Sequence, residues 1–168
     1  MSTLLHKKDA PKKLRVAVIS VSSTRTIDDD KSGHWIRKEA QKEGHEVLVH
    51  KVVKDDRAMI REAVVAAVRD FNLHAVLITG GTGLSNTDVT IEAVKIFFRK
   101  ELTSFGALFT QLSFEEIDSA AILSRAAAGI MGNTVIFCIP GSINACKLAC
   151  TALIFPELGH IVKHLTDN

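Results

Sequence analysis

Three short runs of nearly unbroken apolar, largely β-branched residues constrain this fold more than any other feature. They are LRVAVIS at 14–20, HAVLIT at 74–79 and NTVIFCI at 133–139. A strand with one wet face alternates apolar and polar side chains, whereas a strand covered on both faces reads as a continuous apolar run. A further segment, 46–53, alternates Val47 and Val49 with His50 and Val52 and also reads as a strand. Helical patterns separate these runs. Ile60, Val64, Ala67, Val68 and Phe71 form one apolar stripe at helical spacing. Strand and helix therefore alternate, which predicts a three-layer α/β/α sandwich with a mostly parallel sheet. The 168 residues match the size of one such domain.

The remaining elements follow from local signals. Ile36 and Ala40 mark a helix that Gly44 stops. A helix is expected from Asp88, as its N-cap, to about Arg99. Others are expected over 106–112 and 120–128, then over 142–155, with a last one after Pro156.

Composition narrows the function. Aromatics are 5%, with no Tyr and one Trp, so stacking platforms for single-stranded nucleic acid are not expected. Net charge is only +2, and five basic residues, Lys7, Lys8, Lys12, Lys13 and Arg15, crowd the start of the chain. Residues 1–12 therefore read as a flexible basic leader and 13–168 as one domain, with no nucleic-acid partner. No apolar signal-peptide core or run of membrane-spanning length is seen, so no membrane partner is expected. Three cysteines, an odd number, point to reduced thiols and a cytoplasmic location.

In doubly wound sheets the ligand sits at the carboxyl ends of the strands. Three strand ends here carry unusual loops: 20–31, 80–88 and 140–142. Thr79-Gly80-Gly81-Thr82-Gly83 follows one strand and leads towards a helix. Its glycines allow backbone N–H groups close to an anion, with Thr79 and Thr82 as added donors. The pattern is neither a Walker motif nor GxGxxG. Pro140-Gly141-Ser142 repeats the arrangement after another strand, with Ser142 as cap or ligand contact. Acids cluster around these loops: Asp28, Asp29, Asp30, Asp55, Asp56 and Asp88. Carboxylates repel a phosphate unless a cation lies between, and Mg²⁺ takes one or two carboxylates plus substrate phosphates. Together these features point to a nucleotide–Mg²⁺ site, although each Asp alone is also an ordinary cap or loop residue.

One metal-like pattern stands apart: Cys146 and Cys150, then His160 and His164, a C-x3-C-x9-H-x3-H spacing. The cysteines lie among Ala145, Leu148 and Ala149, where Cys acts as a small hydrophobe, so a zinc finger is not expected. Cys138, inside an apolar run, reads as inert core.

Several segments together resemble the molybdenum cofactor biosynthesis proteins of the MoaB/MogA family, whose molybdopterin-binding domain also occurs in gephyrin and plant Cnx proteins. They are VSSTRTIDDDKSGHWI at 21–36, VVKDD at 52–56, LITGGTGLSNTDVTIEAV at 77–94, FGALFTQLSFEEI at 105–117, SRAAAG at 124–129 and IPGSINACK at 139–147. DDDKSGH and SFEEI look most like the MoaB branch. The resemblance implies a molybdopterin-binding α/β fold and adenylylation of molybdopterin with Mg·ATP, releasing pyrophosphate. It implies Asp55 and Asp88 as the catalytic and Mg²⁺-binding carboxylates. It implies Ser20, Ser22, Gly80, Gly81, Thr82, Gly83, Pro140, Gly141 and Ser142 around the ligands. It also implies contact with other molybdenum cofactor biosynthesis proteins. One departure leaves an alternative open. The family commonly has Arg-Asp-Val-Thr-Pro where this chain has Thr87-Asp88-Val89-Thr90-Ile91. Thr cannot replace a guanidinium on phosphate, so the alternative is a non-catalytic carrier of molybdopterin or a precursor.

Assembly is the last expectation. Phe97, Phe98, Phe105, Phe109 and Phe114 crowd one region, more aromatic surface than a thin sandwich usually hides. A subunit interface is expected there, and the family resemblance implies a trimer or hexamer. The competing reading is that this region covers an edge of the domain's own core.

Overall fold

The computed structural model describes residues 10–167. Most of the basic leader lies outside the described residues. Ala10 and Pro11 pack close to Gly159, so the domain's contacts begin before residue 13.

The chain forms β1 (Arg15–Val21), α1 (Lys31–Lys42), β2 (Glu46–Val53), α2 (Arg57–Phe71), β3 (Ala75–Thr79), α3 (Thr90–Val94), β4 (Lys100–Glu101), α4 (Thr103–Ile117), β5 (Ala127–Met131), β6 (Thr134–Ile139) and α5 (Ile143–Thr166). The sheet order is β2-β1-β3-β6-β5-β4. The first four strands run parallel, while β5 and β4 pair antiparallel at one edge. All three continuous apolar runs are central strands, as expected from their patterning.

Alternation along these strands builds two cores. Val16 and Val18 point into one with Ile36, Phe105, Phe109, Ile154 and Leu158, under α1, α4 and α5. Ala17 and Ile19 point into the other with Ile60, Val64, Ile78 and Ile136, under α2 and α3. This is the expected three-layer sandwich. Caps set the helix starts. The Asp30 carboxylate accepts from Gly33 N to open α1, and that of Asp56 accepts from Met59 N to open α2. At the other end of α2, Phe71 is exposed and drops off the apolar stripe.

Several local expectations fail. The helix expected over 88–99 is the single turn and a half of α3, followed by a 3₁₀ turn, Lys95–Phe97, and β4. Its N-cap is Val89, not Asp88. The helix expected over 120–128 is a 3₁₀ turn, Asp118–Leu123, and then strand β5. Alanine favours helix, but here β6 offers a ladder that buries Ala127 and Ala128. The break expected before Pro156 is absent. The helix runs through it, with a wider π-type winding over Ala149–Ile154. That winding frees backbone groups just ahead of the proline, which lacks an N–H to donate. By length and composition α5 could cross a membrane, yet Cys146, Ala149, Cys150, Ile154, Leu158 and Val162 pack into the sheet's core.

The phenylalanines also divide. Phe105 and Phe109 are buried in the domain's own core, where Phe105 meets Phe137 edge-on at 5.1 Å between ring centres. For these two residues, covering the domain's own core is the correct reading. Phe114 is exposed, and with Leu108, Ile117, Ile122 and Leu123 it leaves an apolar surface on α4 and the following turn.

Candidate active site

The carboxyl ends of the four parallel strands meet at one cleft of about 500 Å³. From β1 comes the loop bearing Ser22, Ser23, Thr24 and Arg25. Asp55 follows β2, the 80–83 loop and Asp88 follow β3, and Pro140 and Gly141 follow β6. Leu123, Ser124 and Arg125 close it from the segment before β5.

The 80–83 loop turns through backbone conformations with φ +96° at Gly80 and +62° at Gly81, a region that L side chains rarely adopt. Space forbids a side chain at Gly80 as well, because a Cβ there would sit 2.4 Å from the Val21 carbonyl oxygen. Thr90 holds the loop from beneath: its hydroxyl donates to Gly80 O at 2.8 Å and its N–H to Gly81 O at 2.9 Å. Gly141 passes so close that a Cβ on it would lie 3.2 Å from Gly80 Cα.

Asp55 and Asp88 flank this loop. A Cβ on Gly81 would fall 3.3 Å from Asp55 Oδ1, and one on Gly83 2.8 Å from Asp88 Oδ2. The two carboxylates therefore border one stretch of backbone in one cleft. Ser23 Oγ donates to Asp55 Oδ2 at 2.8 Å, and Asp55 N–H donates back to Ser23 Oγ at 3.1 Å. Asp88 Oδ2 accepts from Ser85 N at 2.8 Å. It pins its own loop instead of capping α3.

Other expected site residues are placed differently. Ser22 is on the cleft and accepts from Thr24 N and Arg25 N, shaping the first loop. Thr82, Gly83 and Pro140 also line it. Ser20 does not. It is buried, and its hydroxyl donates to Asp30 Oδ2 at 2.6 Å. Ser142 is not on the cleft either. It caps α5 through Ala145 N and lines a neighbouring hollow. The Thr79 hydroxyl is turned from the cleft and donates to Pro140 O at 3.0 Å. Of the remaining acids, Asp56 caps α2. Asp30 is buried, accepting from Ser20, Gly33 N and His50 Nε2. Burial pushes the Asp30 carboxyl upward, but those hydrogen bonds outweigh it and hold it below the usual carboxylate range.

Sequence reasoning missed Ser23, Arg25, Ser124 and Arg125. The two arginines bring to the cleft the guanidinium groups that position 87 lacks. Arg125 is oriented by an ion pair with Glu92. Burial raises the Glu92 carboxyl, yet a backbone hydrogen bond and the Arg125 guanidinium hold it below its ordinary value. Arg25 has no carboxylate ion-pair partner among the described residues. SRAAAG offered the only sequence signal for Arg125, and it became legible only once β5 set its direction.

The cysteines play no part here. Burial pushes the Cys138 thiol up to about 12 and also raises Cys146 and Cys150. Among the described residues no three His, Cys, Asp or Glu side chains converge as a metal cage, so the zinc-finger spacing does not close.

The chain is similar to known proteins over nearly its whole length. The family model described as probable molybdopterin binding domain matches residues 17–160. Molybdenum cofactor biosynthesis protein B of Bacillus cereus is 45% identical over 166 residues, 98% of each chain. A protein of Methanocaldococcus jannaschii named probable molybdopterin adenylyltransferase is 39% identical, covering 98% of this chain and 100% of its own. A crystal structure of molybdenum cofactor biosynthesis protein B superposes with a TM-score of 0.91 at 43% identity, covering 95% of this chain and 100% of that one.

Proposed function

This chain belongs to the family of probable molybdopterin binding domains, and from that premise we propose that it serves molybdenum cofactor biosynthesis by adenylylating molybdopterin with ATP. The observation that carries the reading is the pair Asp55 and Asp88 bordering one glycine loop in one cleft. The name of the Methanocaldococcus relative agrees with it.

The terminal phosphate of molybdopterin supplies the attacking oxygen and pyrophosphate leaves the α-phosphorus of ATP. No covalent enzyme intermediate is needed, so the protein's work is positioning and charge neutralisation. The N–H groups of the 80–83 loop cradle phosphate oxygens, and Arg25 and Arg125 balance charge that grows in the transition state. Ser23 fixes the rotamer of Asp55, and Ser85 that of Asp88.

The donor set fits a magnesium ion. Both carboxylates offer hard oxygens, and neither has a Lys or Arg ion-pair partner among the described residues. When bound with ATP, Mg²⁺ would neutralise phosphate charge, using Asp55, Asp88 and phosphate oxygens. The carrier alternative rests on Thr87, and the two arginines on the cleft weigh against it.

The test is adenylyl-molybdopterin formation by the purified chain with molybdopterin and Mg·ATP. Asp88→Asn should cut turnover by about 10²-fold or more while molybdopterin binding persists, since the amide keeps shape but loses charge. No product from the wild-type chain, where an active homologue works alongside, would leave the carrier reading standing.

The same reading includes assembly as a trimer or hexamer through Leu108, Phe114, Ile117, Ile122 and Leu123. The exposed Phe114 replaces the buried Phe109 as the residue to test. Sedimentation equilibrium should show an oligomer that Phe114→Glu splits into smaller folded species. A monomer of 18.3 kDa at micromolar wild-type concentration overturns it.

A further inference from the structure

The pattern C-x3-C-x9-H-x3-H divides in the fold. Its cysteines are core residues of α5, while its histidines stand together near the helix's far end. Eighteen residues separate the Ser142 cap from His160, roughly 27 Å of helix. The pair is thus remote from the cleft.

The two imidazoles face each other one helical turn apart. His160 Nε2 and His164 Nε2 are 3.0 Å apart, with ring centres 4.7 Å apart. On its other side His160 Nδ1 lies 3.3 Å from Glu157 Oε2. With Nδ1–H donated to that carboxylate, His160 keeps Nε2 as a lone pair, and in the tautomer that carries its proton on Nδ1 His164 likewise offers Nε2 to an ion between the two rings. Metal-binding histidines carry this same second bond to a carboxylate, which orients the ring and raises its basicity. His164 stands in the last turn of the helix, where the outward carbonyl dipoles favour a cation. The His160 side chain is 18% exposed and His164 lies open to solvent, so a hydrated ion has access.

We propose that His160 and His164 form a two-histidine site for a late divalent transition-metal ion, with Glu157 as the positioning carboxylate. Geometry selects among metals. At a metal–nitrogen length of ~2.1 Å, nitrogens 3.0 Å apart subtend roughly 90°, whereas tetrahedral ligation needs them about 3.4 Å apart. The site therefore favours Ni²⁺ or Cu²⁺, which take right-angled nitrogen ligands, over tetrahedral Zn²⁺. Water completes the coordination.

Nickel is the better probe, since it does not oxidise thiols. Untagged full-length protein is titrated with NiCl₂ by calorimetry, and histidine ring signals are followed by NMR. One ion per chain is expected, with paramagnetic broadening of His160 and His164 first. His160→Gln and His164→Gln should each weaken binding at least ~10-fold, and Glu157→Gln by about 10-fold, within the range for outer-shell partners. ZnCl₂ should bind more weakly than NiCl₂. Circular dichroism and the adenylylation assay should be unchanged in the histidine variants. Nickel binding that survives His160→Gln/His164→Gln, broadening that begins at other histidines, or no saturable binding by the folded wild type overturns the proposal.

Discussion

The two glycine-bearing loops of the cleft look alike in sequence but are held in place by different means. The 80–83 loop is fixed mainly by its own backbone, through positive φ at Gly80 and Gly81 and closeness to the Val21 carbonyl, with the Thr90 hydroxyl donating to Gly80 O from beneath. The 140–142 loop has no positive-φ residue and is held by side chains from elsewhere. Ser32 Oγ donates to Gly141 O at 2.8 Å, Thr79 Oγ1 donates to Pro140 O, and Cys146 Sγ lies 3.4 Å from the same oxygen. A loop set by backbone conformation has nothing to relax into when a side chain is added. A loop clamped by side chains gives by a few tenths of an ångström and weakens when a clamp is lost.

The sharpest way to break this comparison is Gly80→Ala. It adds left-handed backbone strain to a clash with a backbone oxygen, so a loss of about 3 kcal/mol or more is expected in urea unfolding. A cost below about 1 kcal/mol would mean that the loop is not backbone-fixed. Gly141→Ala comes next. Its Cβ meets the Gly80 backbone, 3.2 Å from Cα and 3.7 Å from N, and the expected loss is about 1 kcal/mol with molybdopterin affinity reduced. Equal losses from the two variants would erase the distinction.

The smallest effect is pH-dependent. Asp30 caps α1, and that helix carries Ser32 to the second loop. Its folded pKa is depressed, so its stabilisation is present above the unfolded value of about 3.9 and is lost as pH falls through the lower folded value. The urea midpoint of the wild type should fall across that acid window more steeply than that of Asp30→Asn. Indistinguishable slopes would show that Asp30 does not anchor the clamp.

Much of the candidate site was legible because its signals are local. Thr79-Gly80-Gly81-Thr82-Gly83 after an apolar run announces a backbone turn that only glycine tolerates, and it lies on the cleft. Asp55, Asp88, Pro140 and Gly141 lie there too. Ser20 and Ser142 lie off the cleft, because a hydroxyl's partner depends on what faces it. Ser20 faces buried Asp30, and Ser142 its own helix N-terminus. Arg125 was missed because its segment reads as helix until β6 draws it into the sheet. The crowd of phenylalanines likewise divides into core and surface only when α4 packs, because sequence spacing does not say which face of the helix meets the sheet.

The sequence alone determined the layered α/β architecture, through apolar runs that only double coverage explains. It also determined the glycine loops, through backbone conformations open to one residue type. Local chemistry suffices for both. The tertiary structure decided which acid serves as a cap and which faces the cleft, and whether a guanidinium reaches that cleft. It also parted Cys146 and Cys150 from His160 and His164 on one helix. Those outcomes depend on residues distant in the chain arriving at the same place, and hydrogen bonds and ion pairs act only across a few ångströms once they have.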